Sequence, residues 1–135
     1  MSVVTTEITL KNKADIILAE KGYMKADEIR QMTAQAIVDT GAWTIVINEE
    51  TRDKLGLLDE GYGEATLADG QKGDYPMAGP LEIWWENRRF NCDALVLPDA
   101  KDILLGAFVL EAMDLTVNCK RGLVGVHGDV VMHRV

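Results

Sequence analysis

Short apolar segments with a two-residue period, separated by turn-forming residues, restrict the fold of this chain more than any other feature. From Val4 to Leu10 the apolar residues fall on one face, which predicts a half-buried strand. Further strands are predicted at residues 29–38, 42–47, 64–68, 81–86, 89–97, 103–105, 115–117, 123–126 and 130–135, with a turn-rich stretch from 69 to 80. The pattern predicts a mostly β fold.

Local start and stop signals predict two or three short helices. Asp15–Lys21 is typical of a helix that ends at Gly22, and Asn48 is a suitable N-cap for a helix that Gly56 closes. Glycine takes the left-handed conformation of a C-cap without steric cost. A third helix is predicted from Gly106 through Met113.

The composition suits one folded domain over residues 1–135, because 47% of the residues are apolar and 27% are charged. The 22 acidic residues outnumber the 14 basic ones and leave a net charge of −8, which argues against nucleic acid and membrane surfaces as partners. No apolar run approaches the ~18 residues of a membrane span, and no secretory leader is recognisable. We expect a cytoplasmic protein whose Cys92 and Cys119 are small buried thiols.

The tripeptide Asp39-Thr40-Gly41 is the strongest candidate for chemistry, because an apolar strand delivers a carboxylate directly into a turn. Gly41 lets the backbone turn sharply and brings its amide near that carboxylate. Thr40 adds a hydroxyl that can bond to main chain across a junction. Alternatively, Asp39 begins an ordinary Asx turn after a strand.

The Asp-Thr-Gly segment is followed by a glycine-rich hairpin candidate, Thr66–Gly79, and then by Ile103-Leu-Leu-Gly106 with a helix and a strand after it. The order of these three segments resembles the retroviral-type (retropepsin-like) aspartic proteases, above all their small prokaryotic single-domain members. The resemblance covers roughly Gln35–Asn118. It implies a closed β-barrel that acts as a homodimer on a peptide or protein substrate, without metal or cofactor.

The resemblance also implies roles for individual residues. Asp39 corresponds to the catalytic aspartate, Thr40 to the threonine that braces the paired loops, and Gly41 to the glycine of that loop. The Thr66–Gly79 hairpin corresponds to the flap, and residues 103–106 to the strand behind the aspartate loop. Substrate contacts are expected from two groups, one after the triplet and one on the flap: Ala42, Trp43, Thr44, Leu67, Ala68, Asp69 and Gly70.

The chemistry of amide hydrolysis by carboxylates independently requires a second chain. Two carboxylates about 3 Å apart must share one proton, because like charges at that distance cannot both ionise. Asp-Thr-Gly occurs once in this sequence, so the mate of Asp39 is expected to be Asp39 of a second copy, across a two-fold axis.

Two departures from the family pattern concern substrate and dimer contacts. Trp43 places a large indole where a small or polar residue is usual, and Ala107-Phe108 replaces an Arg-Asn pair. A non-catalytic dimeric peptide-binding module on the same scaffold therefore stays as the alternative to an endopeptidase. Of the other candidates, His127 and His133 lack metal-ligand spacing, and in Trp84-Trp85 one indole is expected in the core and the other exposed.

Overall fold

The computed structural model describes residues 3–66, 70–118, 120–121 and 123–126. The strands are β1 (Thr5–Asn12), β2 (Gln31–Asp39), β3 (Ile45–Ile47), β4 (Leu58–Thr66), β5 (Lys72–Trp85), β6 (Arg88–Val96), β7 (Ile103–Gly106), β8 (Leu115–Asn118) and β9 (Leu123–Val126). The helices within these residues are α1 (Lys13–Glu20), α2 (Glu49–Leu55) and α3 (Ala107–Ala112), with one turn of 3-10 helix at Ala26–Glu28.

Six of the strands close into a barrel. Their order around the ring is β1-β2-β7-β3-β6-β5, and β5 closes it by pairing antiparallel with β1 from Thr9 opposite Trp84 to Asn12 opposite Leu81. Strand β4 pairs with the outer part of β5 and lies outside the ring, while β8 and β9 form a separate hairpin. The predicted mostly β closed barrel with two or three helices is therefore confirmed.

The barrel is filled by apolar side chains that alternate along its strands. In β1 the side chains of Ile8 and Leu10 point inward and are almost fully buried, as the two-residue period predicts. The same cluster takes in side chains from the other ring strands and from α2 and α3, among them Ile45, Ile47, Leu55, Leu81, Ile83, Leu105 and Val109.

Helix α2 begins and ends where its local signals predict. The Asn48 side chain accepts a hydrogen bond of 2.8 Å from the Thr51 amide, which satisfies a free N–H of the first turn. Gly56 closes the helix with φ +64°, in the left-handed region. Helix α1 begins at Lys13, two residues earlier than predicted, because the Asn12 side chain caps it through the Asp15 amide.

From Lys72 to Pro80 the stretch predicted to be rich in turns is instead part of β5, the longest strand that the structure describes, so the prediction is wrong for these residues. Strand β5 runs for 14 residues, and β4 begins at Leu58 rather than at residue 64. The two strands pair with each other, and their inter-strand hydrogen bonds keep the chain extended. The local glycine and proline residues do not predict this pairing. Pro80 is tolerated because it lies at a bulge, where the register between β5 and β6 shifts.

The strand predicted over residues 42–47 is also shorter than expected and is formed only by Ile45–Ile47. The carbonyls of Ala42 and Trp43 accept hydrogen bonds from Ala107 and Phe108 at the start of α3, and they are not part of a ladder. The strand predicted at 130–135 lies outside the described residues, and so do Cys119, His127 and His133.

Buried charges on the barrel wall are paired. Glu82 is 2% exposed and lies 2.9 Å from the Lys13 ammonium. Burial raises the pKa of Glu82, but hydrogen bonds from Lys13 and Trp84 and the nearby charges outweigh it and hold that pKa below its usual value.

Trp85 is buried and Trp84 only partly so, as expected for neighbours on opposite faces. No helix of the described ranges is long and apolar enough to cross a membrane.

Candidate active site

The register between β2 and β7 positions the Asp39 carboxylate. The two strands run parallel, with Val38 opposite Leu105 and Asp39 opposite Gly106. The chain turns sharply at the end of β2, where the Gly41 amide donates to Asp39 Oδ1 at 2.9 Å and the Ala42 amide to the Asp39 carbonyl at 3.0 Å. One carboxylate oxygen is thus fixed by main chain, whereas Oδ2 accepts no hydrogen bond from any residue that the structure describes.

Residues 39–44, here called the aspartate loop, are locked against α3. The Ala107 amide donates to the Ala42 carbonyl at 2.9 Å, and the Phe108 amide to the Trp43 carbonyl at 3.2 Å. Gly106 makes this approach possible. A Cβ atom on it would lie 2.7 Å from the Ala42 carbonyl oxygen and in contact with the Thr44 backbone.

A cleft of about 640 Å³ opens beside Asp39 and presents mainly apolar surface. Its walls come from the aspartate loop, β3, the end of β4, the end of β6 with the loop that follows it, and β7. The lining residues are Asp39, Gly41, Ala42, Trp43, Thr44, Val46, Glu64, Ala65, Thr66, Leu95, Leu97, Ala100, Lys101, Asp102 and Leu104.

Most of the sequence-predicted site residues that the structure describes line this one cleft. Asp39, Gly41, Ala42, Trp43 and Thr44 all contribute to its wall. Thr44 is 3% exposed, and its hydroxyl donates to the Asp93 carbonyl at 3.3 Å, which anchors the loop to β6.

The remaining predicted residues lie away from the cleft or outside the described chain. Thr40 does not line the cleft but is exposed, and its hydroxyl has no hydrogen-bond partner within the described residues. Gly70, at φ +86°, is exposed two residues before β5 and does not line the cleft. Leu67, Ala68 and Asp69 lie outside the described residues.

Trp43 joins the aspartate loop to β4. Its indole N–H donates to the Glu64 carbonyl at 3.0 Å, while half of the residue stays exposed. Glu64 lies in the β4–β5 hairpin, opposite Asp74. The indole therefore holds the end of β4, two residues before the last pair of the hairpin, against the loop that carries Asp39.

Sequence reasoning missed the apolar floor of the cleft. Leu104 faces it, while its neighbours Ile103 and Leu105 face the core. In the register Val46 lies opposite Leu104 and also opposite Leu95, so one side chain from each of three strands meets there. The two-residue period predicts that adjacent residues of β7 face opposite ways, but only the register shows which way faces the cleft.

The part of the chain that the structure describes holds neither an ionised thiol nor a cluster of three metal-ligating side chains. Burial raises the pKa of the Cys92 thiol to about 12, although a hydrogen bond with Thr44 lowers it somewhat, so that thiol is un-ionised and inert at neutral pH. Among the described residues, no group of three His, Cys, Asp or Glu side chains could hold a metal ion.

A closed six-stranded barrel with an aspartate turn beside a cleft defines a protein of the acid-protease class. Residues 28–109 match the family model described as "Aspartyl protease", and the chain belongs to that family. Comparison with curated protein sequences gives no match.

Solved structures confirm the retropepsin-like fold predicted from the sequence. The chain is similar to the retroviral protease-like domain of Ddi1 from Leishmania major, with a TM-score of 0.57 at 16% identity over 93% of this chain and 89% of that one. It is also similar to the EIAV protease complexed with the inhibitor HBY-793, with a TM-score of 0.51 at 19% identity over 82% of this chain and 88% of that one.

Proposed function

We propose that the protein is an aspartic endopeptidase whose active site is shared between two copies of the chain. The observation that carries this proposal is the placement of Asp39, whose carboxylate is fixed by the Gly41 amide at 2.9 Å in the wall of a 640 Å³ apolar cleft. Membership of the aspartyl protease family supports it.

In this proposal two Asp39 carboxylates share one proton. The ionised carboxylate takes a proton from a water molecule while the water oxygen attacks the peptide carbonyl carbon, and the protonated one donates its proton to the carbonyl oxygen. The product is a neutral tetrahedral gem-diol. A proton then passes from the gem-diol, through a carboxyl group, to the amide nitrogen, the C–N bond breaks, and an amine and a carboxylic acid leave.

The second Asp39 must come from another chain, because Asp-Thr-Gly occurs once in the 135 residues. The exposed Thr40 supports this arrangement, since its hydroxyl has no hydrogen-bond partner among the described residues and is free to bond to the partner loop. The β4–β5 hairpin would close over an extended peptide and pair with it as a neighbouring strand.

One observation favours the alternative, a dimeric module that binds peptides without cutting them. The indole of Trp43 lines the cleft beside the aspartate loop and is held there by Glu64. If that ring keeps the peptide carbonyl away from the carboxylates, binding persists without hydrolysis.

Replacement of Asp39 by Asn separates these functions. An amide preserves much of the hydrogen-bonding shape but cannot act as base, so Asp39→Asn should lower the peptide cleavage rate by about a thousandfold or more while the dimer persists. Asp99→Asn is the matched control, because Asp99 is an exposed carboxylate that does not line the cleft. Near-wild-type cleavage by purified Asp39→Asn refutes the mechanism. Peptide binding without cleavage by the wild type favours the alternative.

Dilution tests the shared site. Specific activity should fall as the concentration drops below the dimer dissociation constant, because a monomer holds half of the dyad. Activity per chain that stays constant while light scattering reports monomers would rule out a shared dyad.

A further inference from the structure

We propose that Trp43 makes the cleft discriminate against longer peptides, because its indole occupies a main-chain acceptor that a longer peptide would use. This inference rests on the proposed function, since it concerns the substrate of the same cleft. It is carried by the hydrogen bond from the Trp43 indole N–H to the Glu64 carbonyl, at 3.0 Å, and by the pairing of β4.

The Glu64 carbonyl lies on the open edge of β4. This strand ends the seven-stranded sheet and has only β5 as a neighbour among the strands that the structure describes. In an antiparallel pair every second residue turns both its N–H and its C=O away from the partner strand. Pro76 has no N–H to donate to the opposite residue, Tyr62, and the Glu64 carbonyl accepts from Trp43. Tyr62, Glu64 and Thr66 therefore present main-chain groups to the open edge.

This open edge faces the aspartate loop across the cleft. Trp43 from the loop and Glu64 and Thr66 from β4 line the same cleft, together with the small residues Gly41 and Ala65. An extended peptide between the loop and β4 would add a strand to the open edge. At Glu64 the indole already holds the carbonyl, so a peptide that reaches this point has to displace the indole.

The indole is held weakly enough for a peptide to displace it. Half of Trp43 is exposed, and within the described residues one hydrogen bond between neutral groups links its side chain to β4. A bond of this kind corresponds to about a two- to tenfold change in affinity. A peptide that ends before Glu64 leaves the bond intact, whereas one that extends past Glu64 loses that factor.

The experiment compares Trp43→Phe, which keeps a ring but has no donor, with the unsubstituted residue. Both proteins also carry Asp39→Asn, so that peptides are bound and not cut. Fluorescence anisotropy gives Kd for labelled peptides that share an apolar core and are lengthened one residue at a time from each end. Up to a threshold length, Trp43→Phe should leave Kd within about twofold. Beyond that length it should lower Kd about two- to tenfold.

Trp84→Phe is the matched control. Trp84 also donates its indole N–H, to the Glu82 carboxylate at 2.6 Å, but it lies on the barrel wall and does not line the cleft. Its replacement removes an indole donor elsewhere and should give no threshold in peptide length.

The proposal is overturned if Trp43→Phe weakens peptides of every length alike, because the indole then supports the site and does not compete with the peptide. It is also overturned if no threshold is found, or if Trp84→Phe gives the same one. Because binding is measured without cleavage, a threshold in Kd sustains the proposal even if the wild type cuts nothing. Cleavage by the wild type together with no threshold in Kd sustains the protease and refutes the role of Trp43.

Discussion

Replacing Gly106 by Ala should damage the aspartate loop without touching any carboxylate. An added Cβ would lie 2.7 Å from the Ala42 carbonyl oxygen, 2.8 Å from the Thr44 amide nitrogen and closer still to the Thr44 carbonyl oxygen. These are backbone atoms, so no side-chain rotation relieves the contacts. Either the loop or the start of α3 must move.

The magnitude follows from what that movement breaks. Overpacking costs about 1–3 kcal/mol. The two hydrogen bonds from Ala107 and Phe108 to the aspartate loop are worth about 1 kcal/mol each, and the lower chain entropy of Ala returns up to about 1 kcal/mol. We expect Gly106→Ala to lower the free energy of unfolding by about 3 kcal/mol, or Tm by about 10 °C. A displacement of about 1 Å at Asp39 should also reduce kcat about a hundredfold.

Thermal unfolding at a fixed protein concentration and peptide cleavage are the two assays. Gly125→Ala is the matched control, because Gly125 lies in β9 and a Cβ there has no other atom within 4 Å. It should change Tm by no more than about 2 °C. A Gly106→Ala protein with wild-type Tm and activity would show that the loop is not held by this close approach.

Two further predictions concern one buried group, Asp15, and one partly buried group, Cys92, outside the proposed dyad. Side-chain hydrogen bonds from Arg30 hold the pKa of Asp15 below 3.8, so its contribution to stability is full above pH 3.8 and is lost as the pH falls through the lower folded pKa. Measured by urea unfolding, Asp15→Asn should lower the free energy of unfolding by about 2 kcal/mol at pH 7 and by much less at pH 2. An equal loss at both pH values would contradict the ion pair. Cys92, with its pKa near 12, should react with a thiol reagent at pH 8 at least a hundredfold more slowly in the folded Cys119→Ser protein than in the unfolded one. Equal rates would contradict its burial.

The sequence predicts best those elements whose signals are local. Helix α2 is bounded by Asn48 and Gly56, whose capping roles depend on their own side chains and backbone angles. The turn at Asp39 and Gly41 is local in the same sense, since two hydrogen bonds, from the Gly41 and Ala42 amides to Asp39, define it within four residues.

What the sequence does not predict depends on partners far along the chain. The glycines and prolines before Leu81 indicate turns, yet pairing with β4 and β6 keeps β5 extended through them. Turn propensity is a local preference of less than a few kcal/mol, and pairing with a strand on each side overrides it even where the register shifts. The contact of Trp43 with Glu64 spans 21 residues and has no sequence signal.

Strand β7 shows how four residues join motifs that are far apart in the sequence. Gly106 is the register partner of Asp39 and admits the aspartate loop, while Leu105 faces the barrel core and Leu104 the cleft. Because the pleat alternates, a substitution at Leu105 acts on the stability of the barrel, and one at Leu104 acts on what the cleft accepts. The apolar triplet and glycine therefore form one element that both supports Asp39 and shapes the surface beside it.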